Sequence, residues 1–195
     1  MEGPPLLGRR VRLRPVMPTD HDYLYQLATH PDITWRWRYR GQSIGYDTFL
    51  QQLWGGTLVH FVVERRDGGQ RVGYVQAFDA SERHGWCHFA VMLDPMLERS
   101  GWAIECLALF FNYVFTAWNF RKLYAVVLEN NYEELHSGAG TWFITEGRLA
   151  EHEWFAGRYW DLVFLTVRRE DWEPSGPALV AKLTERPAGP VRETA

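Results

Sequence analysis

Arg10, Arg12 and Arg14 alternate with Val11 and Leu13, the two-residue period of an edge or half-buried strand. Pro18-Thr19-Asp20 then opens a helical pattern that puts Tyr23, Leu24 and Leu27 on one side. A second short helix is expected over Tyr46 to Trp54, ended by Gly55-Gly56. Next comes a hairpin: Leu58 to Glu64, a turn at Asp67-Gly68-Gly69, and Val72 to Phe78. A third strand over Trp86 to Leu93 stops at Asp94-Pro95.

From Gly101 to Asn119 the pattern is that of a long buried helix, followed by a continuous apolar run of strand length over Leu123 to Leu128. A polar, helix-compatible stretch lies around Asn131 to Leu135, and short strands are expected near Trp142 to Ile144 and Tyr159 to Val167. Beyond Trp172 prolines accumulate and the apolar period is lost. The chain therefore divides into a flexible N-terminus (1–8), one mixed α/β domain with a central sheet (9–172) and a flexible Pro-rich tail (173–195).

Composition narrows the class. The 195 residues are 46 % hydrophobic and 23 % charged with a net charge of −3, which excludes a disordered or fibrous chain. The most apolar run, Cys106 to Trp118, falls short of the roughly 20 residues that span a membrane, and Met1 to Arg10 lacks a signal-peptide core. Cys87 and Cys106 cannot form a disulfide framework, and neither they nor the seven histidines show ligand spacing, so no metal is expected. These features imply a soluble, reducing, cytoplasmic setting. The basic residues are almost all Arg, with only Lys122 and Lys182, but there is no basic excess, which disfavours a dedicated nucleic-acid binder. Aromatic residues make 15 % of the chain, enough to fill a rigid core or to line a pocket.

The chemistry concentrates where the third strand runs into the long helix, at Val91-Met92-Leu93 and Glu98-Arg99-Ser100-Gly101-Trp102-Ala103. A helix N-terminus presents unpaired N–H groups and partial positive charge, which suits a phosphate. Gly101 and Ala103 permit close approach of a ligand to the backbone.

Together with the C-terminal motifs, this segment resembles the GNAT superfamily of acyl-CoA N-acyltransferases, in its RimJ/RimL-like branch. The family's pyrophosphate loop, Arg/Gln-x-x-Gly-x-Gly/Ala, is matched by Glu98-x-x-Gly101-x-Ala103. Downstream stand Asn131, then Phe143, Glu146-Gly147-Arg148-Leu149, Gly157-Arg158-Tyr159-Trp160-Asp161 and Glu170-Asp171-Trp172 in the family's order. The resemblance covers residues 9 to 172. It implies a mostly antiparallel sheet with helices on both faces, and direct transfer of an acyl group, acetyl by default, from acetyl-CoA to a primary amine. It also implies that Val91 to Leu93 pair with the pantetheine arm, that Arg99, Ser100, Gly101, Trp102 and Ala103 cradle the phosphates, and that Asn131 contributes to the cofactor site.

Departures from the family pattern matter. Glu98 replaces the usual Arg or Gln, and like charges about 5 Å apart repel by roughly 3 kcal/mol at an effective dielectric of 20. Glu98 turned outward with Arg99 supplying the charge, weak CoA binding, an altered donor, or a lost activity are the alternatives. Glu134 stands where a serine is common, Gly138 where many members carry the tyrosine that protonates the thiolate, and Trp142 where the motif has Gly. His136 and Ser137 are then the candidates to protonate the leaving thiolate, and Glu134 a candidate base acting through water. His88, on the third strand with Trp86, Ala90 and Met92 on its face, is a candidate base near neutral pH. Against each stands an ordinary structural role in a solvated loop or a packed sheet.

Thr34-Trp35-Arg36-Trp37-Arg38-Tyr39-Arg40 alternates aromatic and basic residues. An extended segment would place Trp35, Trp37 and Tyr39 on one side, as a wall for a bulky, apolar, peptidic or acidic acceptor. A stacking surface for RNA and a covering segment with solvated arginines are the competing readings. The implied partner is a small-molecule or peptide amine (a peptide or protein N-terminus, an amino acid or a secondary metabolite); the alternatives are a non-catalytic GNAT-like binding module and an acyltransferase with an RNA-attached donor or acceptor, and a homodimer is left open.

Overall fold

The computed structural model describes residues 3–97, 101–132 and 142–185. Seven strands form one sheet: β1 (Val11–Pro15), β2 (Thr57–Arg65), β3 (Arg71–Ser81), β4 (Trp86–Leu93), β5 (Lys122–Leu128), β6 (Ile144–Phe155) and β7 (Arg158–Arg168). Their spatial order is β1-β2-β3-β4-β5-β7-β6, antiparallel throughout except for the β4–β5 pair. The helices are α1 (His21–Ala28), α2 (Pro31–Thr34), α3 (Tyr46–Trp54), α4 (Trp102–Ala117), α5 (Arg169–Trp172) and α6 (Gly176–Thr184).

Alternation along the strands divides the sheet into two faces. Cys87 and Phe89 of β4, Val75 and Ala77 of β3, and Leu123 and Ala125 of β5 pack against α4 in the main core. The opposite face buries Val62, Tyr74 and Met92 beneath α1, α2 and α3, through Leu24, Ile33, Phe49 and Leu53. Because α4 is buried from Glu105 to Phe111 and again at Val114 and Phe115, its sequence is apolar nearly all round. The expected mixed α/β architecture is thus observed, with α3 and β4 ending at the residues read from the sequence.

Three sequence expectations are corrected. Residues 3–8 are tied down: Leu13 N–H donates to the Leu6 carbonyl, Gly8 N–H to the Val11 carbonyl, and Leu6 packs on the core. The Pro-rich segment after Trp172 contains α6, whose Val180 is buried in the main core; Trp172 meets Phe111 and Trp142 edge to face. Pro177 sits in the first turn of α6, where its missing N–H costs nothing. The strand expected near Trp142 to Ile144 is instead the long β6, displaced toward the C-terminus and mostly exposed.

Candidate functional site

The central feature is a gap between neighbouring strands. β4 and β5 pair only at Trp86–Lys122, Cys87–Leu123 and His88–Tyr124. Beyond that point β4 stays with β3 as far as Leu93, and β5 stays with β7 as far as Leu128, so the two part in a V. The facing edges of Phe89 to Leu93 and of Ala125 to Leu128 lose their ladder partner there, and strand edges of this kind pair readily with an extended ligand. Val91, Met92 and Leu93, predicted to contact the pantetheine arm, lie on this free edge, with Met92 facing α1–α3 and Val91 and Leu93 facing α4.

The helix start expected at Gly101 is observed. Gly101 adopts φ +79°, a left-handed conformation that suits glycine, and Trp102 and Ala103 begin α4. The Arg65 guanidinium lies 5.5 Å from the Trp102 ring centroid. Glu105, in the first turn, is buried and accepts from the backbone N–H groups of Arg10 (2.7 Å) and Val11 (3.2 Å), anchoring α4 to β1. Glu98, Arg99 and Ser100 lie outside the described residues, as do Glu134, His136 and Ser137. Asn131 lies in the helical turn after β5, beside Asn130, whose Oδ1 is buried without a hydrogen-bond partner.

His88 sits at the closed end of the V, on the face opposite α4. Phe78 stacks on it at 5.6 Å, Trp86 meets it edge-on at 5.5 Å, and Tyr124 lies at 5.9 Å. Its Nδ1 is buried with no hydrogen-bond partner. Burial lowers the His88 pKa below the ordinary histidine value, against a weaker opposing pull from Asp79. The imidazole is therefore neutral at pH 7 and able to take a proton. Cys87, on the other face, is held as a protonated thiol, its pKa pushed up by burial to about 12.

Beside His88, Tyr124 donates to Glu146 (3.0 Å), which also accepts from Lys122 and faces Arg168 at 3.7 Å. Farther along the same face, His60 Nδ1 lies 3.1 Å from the Tyr74 hydroxyl, which donates to Gln76 Oε1 at 2.9 Å. A narrow cavity opens above this chain, lined by Leu24, Trp37, Arg38, Tyr39, Tyr74 and Met92 together with Gln76.

The segment from Thr34 to Arg40 is not extended, which corrects the expected aromatic wall. It folds into successive turns in which the N–H groups of Arg36 and Trp37 both donate to the Ile33 carbonyl, and Gly41 N–H donates to Thr34. Trp37 and Tyr39 face the cavity, but Trp35 is turned away onto Phe155 of β6, at 5.8 Å. The site thus brings together His88, Met92, Trp37 and Tyr39 on one side of the sheet, and Trp35 does not join them. Tyr74, Gln76, Phe78 and Tyr124 were missed in the sequence, although the alternation of β3 already places the first three on one face.

Among the described residues no group of His, Cys, Asp or Glu could hold a metal ion, and no helix is long and apolar enough to cross a membrane. The sequence model of the acetyltransferase (GNAT) domain family matches residues 10–135. The chain is 25 % identical over 160 residues to a spermidine N(1)-acetyltransferase of Escherichia coli K12, spanning 80 % of this chain and 85 % of that one. A spermidine N(1)-acetyltransferase of Vibrio cholerae is 27 % identical over 124 residues, 60 % of this chain and 71 % of the relative. Among solved structures, the spermidine N-acetyltransferase of Vibrio cholerae in complex with CoA and spermine has the same fold, with a TM-score of 0.72 at 23 % identity over 84 % of this chain and 98 % of that one. With the parted β4–β5 pair and a family match over most of its length, the chain belongs to the GNAT acetyltransferase family, the acetyl-CoA-dependent N-acetyltransferases.

Proposed function

We propose that the chain acetylates the primary amine of a bulky or apolar acceptor by direct attack within a ternary complex, with His88 as the base. The observation that carries this reading is the position of His88: neutral, unpartnered at Nδ1, and set at the closed end of the β4–β5 gap on the face that carries the aromatic cavity. Acetyl-CoA supplies the thioester carbonyl that the amine attacks. The free edge of β4 fits its extended pantetheine arm, and Gly101, Trp102, Ala103, Arg99 and Ser100 are assigned to its phosphates, with Asn131 beside the arm. His88 takes the proton of the acceptor ammonium, and Phe78, Trp86 and Tyr124 keep water from its ring. His136 and Ser137 remain the candidates to return a proton to the thiolate, with Glu134 as a second base through water.

The similarity to spermidine N-acetyltransferases favours a second acceptor class, the polyamines. Against it, none of the described residues lining the cavity is a carboxylate and one is Arg38, a poor setting for a polycation. Thiol release from acetyl-CoA in the presence of spermidine or of phenethylamine separates the two. The first reading expects kcat/KM for phenethylamine to exceed that for spermidine; the reverse order assigns the polyamines. Absence of turnover with every primary amine, with acetyl-CoA still bound in calorimetry, returns the binding-module alternative.

A further inference from the structure

Gln76 is 1 % exposed, and its Nε2 has no hydrogen-bond partner. A buried amide N–H₂ left without an acceptor costs free energy, so its orientation needs a cause. An acceptor supplied by a bound ligand would remove that cost, and a chain of hydrogen bonds stands behind the amide. The Tyr74 hydroxyl gives its single proton to Gln76 Oε1, so His60 Nδ1–H must donate to the Tyr74 oxygen. Burial holds the pKa of His60 down at about 4, so the ring is neutral at neutral pH and in this relay carries its single N–H on Nδ1. In this relay the Gln76 oxygen is occupied and its nitrogen is free.

Gln76 lines the same cavity as Arg38. The Arg38 guanidinium lies 5.4 Å from the Trp37 ring centroid and 5.6 Å from that of Phe78, and it has no ion pair or hydrogen bond to a described residue. Phe78 in turn stacks on His88, so a single ring separates the cation from the base. Two donor groups, one of them charged, therefore meet in a cavity without a carboxylate in its lining. The enclosed space is about 10 Å³, enough for one water-sized group and too little for a whole acceptor.

We infer that Arg38 and Gln76 form a carboxylate subsite, and that the acceptor is an amine carrying a carboxylate a few bonds from the reacting nitrogen. This rests on the acetyl-transfer reading above and adds the substrate class. One carboxylate oxygen enters the cavity toward Gln76 Nε2 while Arg38 pairs with the group from the rim, and the remainder of the acceptor lies over Phe78 with its amine toward His88. Charge-assisted pairing of this kind is stronger and more directional than contact with neutral groups.

Phenylalanine and phenethylamine differ only by the carboxylate and give a direct test. Native protein is expected to show kcat/KM for phenylalanine at least about tenfold above that for phenethylamine, and Arg38→Gln to bring the ratio near one, with Arg38→Lys restoring most of it. Gln76→Glu keeps an acceptor for Tyr74, removes the free donor and adds a repelling charge, and is expected to lower the same ratio. Binding is measured separately, by calorimetry of N-acetylphenylalanine against N-acetylphenethylamine on CoA-saturated protein. A preference for the carboxylate in binding without turnover of any amine retains the subsite and removes the acetyl-transfer reading. Turnover with no preference for the carboxylate, or a ratio unmoved in Arg38→Gln and Gln76→Glu, overturns the subsite and leaves the acetyl-transfer reading standing; in that case the cavity holds a structural water. Neither binding nor turnover overturns both.

Discussion

His60 and His88 lie on one face of the sheet, and burial lowers the pKa of both. At His60, held near 4, the unfolded chain binds a proton over a range where the folded chain does not. The stability that depends on a neutral His60 is complete above the ordinary histidine pKa near 6.5 and is lost as the pH falls toward 4. After allowance for solvent screening, the expected loss is about 2 kcal/mol. Urea titrations at pH 7 and pH 4.5 should show it, and His60→Gln, which retains a partner for Tyr74, should reduce the pH dependence. The sequence names His88 as a candidate base, but the burial that lowers both pKa values is not legible there, because Trp54, Tyr74, Phe78 and Tyr124 are brought to the two rings by other strands and a helix.

At the scale of elements, the gap that defines the site results from β4 and β5 each following its antiparallel partner along its length, while they pair with each other at three positions. Helix α4 is fixed relative to that gap by Glu105, which accepts two backbone N–H groups of the β1 region. Glu105→Ala leaves those donors without a partner and should cost about 2 to 3 kcal/mol in urea unfolding; Glu105→Gln, still an acceptor, should cost less. An alanine at Gly8, whose Cβ would meet the Glu105 carboxylate, should displace the same anchor. Strands and helices with one buried face were read well from sequence because their period is imposed by the core, as in β4 and α3. β6 was not, since it pairs only with β7, is mostly exposed, and breaks its register near Glu151 at φ +49°. The aromatic–basic alternation of residues 34–40 has the period of a strand, but the Ile33 carbonyl captures two successive N–H groups and coils it into turns. Trp35 closes the outer side of that coil, packed so tightly over Gly41 that a Cβ there would come within 2.5 Å of the ring.

For the molecule as a whole, the aromatic excess falls into two uses. Phe110, Phe111, Phe120 and Trp172 are fully buried in the α4 core, while Trp37, Tyr39, Tyr74, Phe78 and Tyr124 lie on the opposite face of the sheet, which carries His88. The C-terminal segment belongs to the first of these: Gly176 packs directly on the Trp172 indole, leaving no room for a Cβ. Gly176→Ala should therefore lower the melting temperature by several degrees, consistent with about 1 to 3 kcal/mol of overpacking. The family was legible in the order of its loose motifs, whereas the face around His88 was legible only in part, since it is assembled from β3, β4, β5 and the coiled turns after α2. The central claim is that His88 accepts the proton of the attacking amine, and the pH dependence of kcat/KM for thiol release tests it most directly. Native protein should show an acid limb below the ordinary histidine value of about 6.5, and His88→Gln should lose that limb together with at least about a hundredfold in kcat. An unchanged limb and a near-native kcat in His88→Gln would contradict the account.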